Sequence, residues 1–293
     1  MKHMCKNRII DLILFTVFYI FGTFTIYSAV FTNYSIEDGL SQSLVFNITQ
    51  DSTGFMWFAT QDGLNRFDGS KFITFKSSEK DNNSLTDNYI YPLITDHKQN
   101  LWIGTRAGGL NQLDLENYLF NTLLPSDEVK SKLTDIRISS LHEGSKGIWI
   151  GTYNGNLHFF DFKQKTLSKS LQSLQKPIYA LLEDHNNQLW IGSHGNGVIR
   201  YSITTQSTRH YKANKAVNNQ LHSNSFFAII EDNQQRIWLG SAGSGLYRYN
   251  ESSDDFTNWQ HNKSKEHSLS NNTIRALYQD ILGNIWIGTR GGG

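Results

Sequence analysis

The sequence predicts an all-β fold, a β-propeller of four-stranded blades, with a hydrophobic helix ahead of it. Three observations carry this expectation. One short motif recurs six times: M-W-F-A-T from Met56, L-W-I-G-T from Leu101, I-W-I-G-T from Ile148, L-W-I-G-S from Leu189, I-W-L-G-S from Ile237 and I-W-I-G-T from Ile285. Its tryptophans, Trp57, Trp102, Trp149, Trp190, Trp238 and Trp286, are 45, 47, 41, 48 and 48 residues apart. A period in the mid-forties fits one four-stranded blade and is too long for a leucine-rich repeat. An acid stands six residues before every one of these tryptophans: Asp51, Asp96, Glu143, Asp184, Asp232 and Asp280.

Each unit divides into four strands. Strand A is apolar with a few polar interruptions, at Val45–Thr49, Ile90–Ile94, Arg137–Leu141, Ile178–Leu182, Phe226–Ile230 and Ile274–Tyr278. A polar turn follows, of the type D-S-T-G or D-H-K-Q-N. Strand B is the W-I-G-T stretch and strand C the G-L-N-Q-L-D type. Strand D is looser, at Lys71–Phe75, Leu119–Leu123, Thr166–Ser170, Thr208–Tyr211 and Phe256–Trp259. The count is about five complete blades and a partial sixth.

The repeated residue types have structural reasons. Aspartate bonds the backbone a residue or two onward and so closes the A–B turn. Six acids at one register are spread around a ring rather than gathered at a metal. The segment Asp184–Gln188 also lacks the spacing of a calcium loop. A buried tryptophan covers about 150–250 Å², worth roughly 4–6 kcal/mol, and at one register per blade it fills the space between neighbours. The glycines two residues after tryptophan (Gly104, Gly151, Gly192, Gly240, Gly288) allow close sheet packing.

Six versions of one unit form an internal comparison. What stays fixed serves the blade; what varies inside a fixed frame is free for function. The residue after Gly-Thr or Gly-Ser, and its counterpart in the first unit, varies: Gln61, Arg106, Tyr153, His194, Ala242 and Arg290. In a propeller the B–C turns and D–A loops share one face around the channel mouth. Gln61, Arg106, Tyr153, His194 and Arg290 are therefore the ligand-binding candidates, able to hydrogen-bond or to stack on flat or sugar-like surfaces. The D–A loops repeat N-S-L-T-D-N, N-Q-L-H-S-N and H-S-L-S-N-N, and this repetition gives Asn88, Asn224 and Asn272 a loop-building role.

Composition narrows the classes. A net charge of +1 argues against a nucleic-acid binder. The single cysteine, Cys5, allows neither an intrachain disulfide nor a cysteine-based zinc site. The ten histidines form no metal pattern. No catalytic constellation, P-loop or dinucleotide fingerprint is present, so no catalytic residue, metal or cofactor is assigned. At the N-terminus, Lys2, Lys6 and Arg8 precede an apolar run from Ile9 to about Val30. Its length roughly matches a bilayer core, and the leading positive charge keeps that end cytoplasmic. Residues 1–30 are read as a cleaved export signal or a retained membrane anchor, and residues 31–293 as the propeller.

The pattern acid-x-x-x-G/N-x-W-I-G-T-x-x-G-G-L, with L-S-x-N before strand A, resembles the two-component regulator propeller repeat. Tyr34–Phe46 and Ile48–Asp68 are similar to the start of the exported sensor region of a hybrid two-component system. The third copy departs most, with Glu143 in place of Asp. The resemblance implies seven-bladed propellers outside the membrane, of which this chain is an incomplete ring. It implies a periplasmic location, an oligosaccharide ligand, a homodimer, and the remainder of a histidine kinase as partner. The expected function is a ligand-sensing propeller without enzymatic activity of its own. The alternatives are a propeller enzyme, of the quinone-dependent dehydrogenase or lyase type, and a purely structural module.

Overall fold

The computed structural model describes residues 34–81, 83–123, 137–168, 172–214 and 220–291. The expected N-terminal helix and the segment 1–30 lie outside these residues. Among the described residues, no helix is long and apolar enough to cross a membrane.

The repeat units form successive antiparallel sheets in which each strand pairs with its neighbour in sequence. Blade 1 comprises Val45–Gln50, Met56–Thr60, Gly63–Phe67 and Phe72–Phe75; blade 2 comprises Ile90–Thr95, Leu101–Thr105, Leu110–Leu113 and Phe120–Leu123. Blade 3 begins Ile138–Gly144, Gly147–Thr152, Asn156–Asp161. Its fourth strand is split into Thr166–Leu167 and Gln172–Ser173, both paired with the third. Blade 4 is Ile178–Glu183, Gln188–Ser193, Val198–Ser202, Thr208–Tyr211, and blade 5 is Phe226–Glu231, Ile237–Ser241, Leu246–Asn250, Asp255–Trp259. Blade 6 has the pair Ile274–Gln279 and Ile285–Thr289. Sequence and structure differ at strand D of blade 3, where the expected run Thr166–Ser170 begins as the strand Thr166–Leu167 and leaves it at Ser168; residues 169 and 170 lie outside the described residues. A single helical turn, Ile36–Asp38, precedes blade 1 and is closed by a capping box from Ser35.

The core lies between blades. Trp57 packs into the cluster built from blade 2, Trp102 into that of blade 3, Trp149 into that of blade 4 and Trp190 into that of blade 5. Trp57, Trp102 and Trp190 are essentially inaccessible, whereas Trp286 is 62% exposed on the two-stranded sheet. The close packing expected at the glycines is present where the next blade's strand A crosses. A Cβ on Gly104 would stand 2.6 Å from Ile138 Cγ2, and one on Gly151 or Gly240 would stand 2.6 Å from Ile178 or Ile274 Cγ2. Gly192 has more room, its nearest contacts being 3.2 Å away.

The turn acids close their turns as expected and also do something the spacing did not indicate. In blade 4, Asp184 Oδ1 accepts the N–H groups of Asn186 and Gln188, while Oδ2 accepts the Trp190 indole N–H at 2.7 Å. Asp51, Asp96, Asp232 and Asp280 hold Trp57, Trp102, Trp238 and Trp286 in the same way. Each aspartate therefore closes a turn and holds an indole together, and in blades 1, 2 and 4 that indole is buried in the core.

Blade 3 corrects the expectation for Glu143. Trp149 pairs with His142 and Ile148 with Glu143, as Trp190 pairs with Leu182 and Leu189 with Glu183. Glu143 is thus the counterpart of Glu183, and Gly144 holds the aspartate's place. The hairpin is one residue shorter, which leaves an acid six residues before Trp149 by coincidence. The Trp149 indole donates instead to Glu183 Oε2 of blade 4 at 2.6 Å. A Cβ on Gly144 would lie 2.1 Å from that oxygen, so the neighbour's carboxylate fills the space of the missing side chain. Glu143 reaches backward to the His97 backbone N–H at 3.0 Å and to its ring.

His142 stands beside this exchange. Burial pushes its pKa from 6.5 down to about 4, against the opposing pull of Glu183 and Glu143. The folded form therefore holds it neutral. Between about pH 6.5 and 4 the unfolded chain binds a proton that the folded chain does not, so stability falls as pH falls through this window. The loss is up to about 3 kcal/mol, and this contribution stops changing below the folded value. Urea unfolding at pH 7 and 4.5 checks this: His142→Leu is expected to lose less stability on acidification than the wild type, and equal losses would refute it.

Candidate functional site

The B–C turns are built by a repeated device. Thr105 Oγ1 donates to Gly109 O at 2.9 Å and accepts the Gly108 N–H; Ser193 Oγ donates to Gly197 O and accepts the Asn196 N–H, and Ser241 Oγ donates to Gly245 O and accepts the Ser244 N–H. Gly197 and Gly245 have φ of 76° and 81°, and a Cβ would lie 2.2 or 2.0 Å from a strand D carbonyl, so no side chain fits there. The turn is then laced to strand A: the N–H groups of Arg106, Tyr153, His194, Ala242 and Arg290 donate to carbonyls just before strand A of their own blades. Asn88, Asn224 and Asn272 have the expected loop-building role. Their carbonyls accept from Gly63, from Gly195 and Gly197, and from Gly245, respectively, and their side chains accept from Ser77, Ala213 and His261.

This frame presents Gln61, Arg106, Tyr153, His194 and Arg290, all exposed, on one rim. The structure brings some of them together. Arg106 stacks over Tyr89, 5.2 Å from the ring centre, and Tyr153 lies 3.7 Å beneath the Arg137 guanidinium. His194 packs edge-on to Tyr179 at 5.9 Å and lies 6.2 Å from Phe227. Gln61 and Arg290 make none of the aromatic contacts.

The rings that these residues meet were not among the sequence candidates. Strand A bulges at its start in every blade, with register shifts between Val45 and Asn47, Ile90 and Leu93, Ile178 and Ala180, Phe226 and Ala228, and Ile274 and Ala276, and opposite Gly151 and Thr152 in blade 3. The bulged residues Phe46, Tyr91, Ser139, Tyr179, Phe227 and Arg275 line a cavity of about 490 Å³ bounded by strand A of all six blades. Phe46 stacks on Tyr89 at 5.4 Å and meets Tyr91 at a tilt at 4.9 Å, Tyr179 meets Phe227 at 5.6 Å, and Arg275 lies 4.0 Å over Phe227. Arg137 donates to the Tyr91 hydroxyl at 2.9 Å. Burial pushes the Tyr179 phenol up, Tyr153 and Tyr91 add to this, and Arg137 and Arg275 pull it back.

The result is a collar of aromatic faces interleaved with guanidiniums around a concave opening. Such a surface can stack on the C–H faces of a sugar or on a planar group, and can bond hydroxyl or acidic oxygens. Among the described residues, no three of His, Cys, Asp and Glu come together as metal ligands.

Comparison with known proteins agrees with the repeat. The family described as two component regulator propeller matches at residues 84–107, 173–195, 220–243 and 268–291. A histidine kinase of Formosa agariphila is 31% identical, over 60% of this chain and 17% of its own length. The extracellular domain of a hybrid two component system from B. thetaiotaomicron is 28% identical with a TM-score of 0.69, covering 89% of this chain and 41% of that one. The chain thus spans less than half of either relative. Virginiamycin B lyase from Staphylococcus aureus shares the fold at a TM-score of 0.62 and 13% identity, covering 84% of this chain and 77% of the lyase. Each match runs from the end of one blade through strands A and B of the next to the start of its B–C turn, in blades 2, 4, 5 and 6, and these four segments are similar to the two component regulator propeller repeat.

Proposed function

We propose that the chain is the exported sensor portion of a hybrid two-component histidine kinase, located in the periplasm, and that the collar at its channel mouth receives an oligosaccharide. The aromatic collar is the observation that supports this most directly. Tyr91, Tyr179 and Phe227 offer flat apolar faces, held by backbone bulges rather than by mobile loops. The homology to extracellular domains of two-component sensors supports the assignment to signalling. In this reading the kinase belongs to another part of a longer protein, and dimerisation of that protein couples ligand to transmembrane output. The lyase likeness concerns the fold, and no reaction is carried over from it.

Calorimetric titration against an oligosaccharide panel tests the reading. One class is expected to bind, and Tyr179→Ala to weaken it about tenfold, equivalent to roughly 1.4 kcal/mol. No heat from any member, or binding unchanged in Tyr179→Ala, would overturn it.

A further inference from the structure

We propose that the collar selects an acidic oligosaccharide, one bearing uronate or sulfate groups, with Arg106 and Arg275 as the anion-binding residues. This rests on the reading of the collar as a sugar site. Both guanidiniums are exposed, and each lies over an aromatic ring, Arg106 at 5.2 Å from Tyr89 and Arg275 at 4.0 Å from Phe227. Neither has a carboxylate within ion-pair distance among the described residues. Stacking fixes a guanidinium plane while leaving its edge N–H groups free to donate, the geometry that suits a two-oxygen anion.

Charge around the molecule points the same way. The chain is close to neutral overall, yet the repeated turn acids all lie at A–B turns, on the rim opposite the collar. On the collar's side, among the described B–C turns and the three residues before each strand A, the carboxylates are Asp62 and Asp87. Asp62 is paired with Lys76 at 2.8 Å, and Asp87 accepts the N–H groups of Tyr89 and Ala107. A neutral sugar would leave the two guanidiniums unpaired at the mouth of a partly enclosed site. A carboxylate or sulfate would neutralise them at lower solvation cost than in a fully buried pair.

The test uses the full chain and matched pairs of ligands, uronate-containing trisaccharides and their carboxyl-reduced counterparts, together with a sulfated trisaccharide and its desulfated form. At least one acidic member is expected to bind, at least tenfold more tightly than its neutral partner, and to weaken as salt is raised. Arg275→Gln and Arg106→Gln are expected to abolish that preference with an unchanged melting temperature. Arg275→Lys, which keeps the charge but not the planar fork, is expected to recover part of it. A neutral partner that binds as tightly as the acid overturns this inference and leaves the sugar reading standing. A preference that survives in both glutamine variants also overturns it. No binding by any acidic or neutral sugar overturns both.

Discussion

Trp190→Ala is expected to lower the unfolding free energy by about 3–5 kcal/mol, a large part of the stability of an ordinary domain. Trp190 is 1% exposed. Its ring lies 4.8 Å from Tyr249 and 6.0 Å from Tyr211, and its indole N–H is held by Asp184. Truncation removes the apolar contacts that join blade 4 to blade 5, opens a cavity between them, and leaves Asp184 Oδ2 without its buried donor. Denaturant unfolding measures the effect. Trp286→Ala, at the same register but 62% exposed, is expected to cost about 1 kcal/mol or less. Equal costs at the two positions would show that the repeat register, and not inter-blade burial, sets the contribution.

The second large effect separates two readings of blade 3. Glu183→Ala is expected to destabilise by about 2 kcal/mol, because it strands the N–H of the buried Trp149 indole that its carboxylate accepts. Glu143→Ala is expected to cost about 1 kcal/mol or less, since its pairing with His97 is largely solvated, the His97 side chain being 59% exposed. Counting six residues back from the tryptophan gives the opposite order. A larger loss at Glu143 than at Glu183 would restore that count and refute the register described here.

These two cases show what could be read from the chain and what could not. The blade frame is written in residue types that act locally: an aspartate closing its own turn, a glycine where a neighbour crosses, a tryptophan at constant spacing. From sequence alone those features place Trp102, Gly104 and Asp96 correctly. A linear count misplaces Glu143 because a one-residue deletion and a one-residue shift of the acid cancel in it, and only strand register separates them. The variable turn residues Arg106, Tyr153 and His194 were found because they differ inside a fixed frame. The same comparison, applied to the second residue of strand A, reads Phe46, Tyr91, Ser139, Tyr179, Phe227 and Arg275. That column varies just as freely but was hidden, because an aromatic in an apolar strand looks like core. The bulge that turns it into the channel leaves no mark in composition.

The shortened hairpin of blade 3 also bears on how such an array can be rearranged. A unit whose tryptophan is locked by its own aspartate is a self-sufficient cassette and can be duplicated or transplanted with its core indole satisfied. Blade 3 lacks that independence. Its indole is completed by Glu183, a residue encoded in the following unit, so blade 3 needs a follower with an acid at that register, as blade 5 has in Glu231. A recombination junction between residues 152 and 178 would separate Trp149 from Glu183, whereas one between blades 4 and 5 would leave both partners intact.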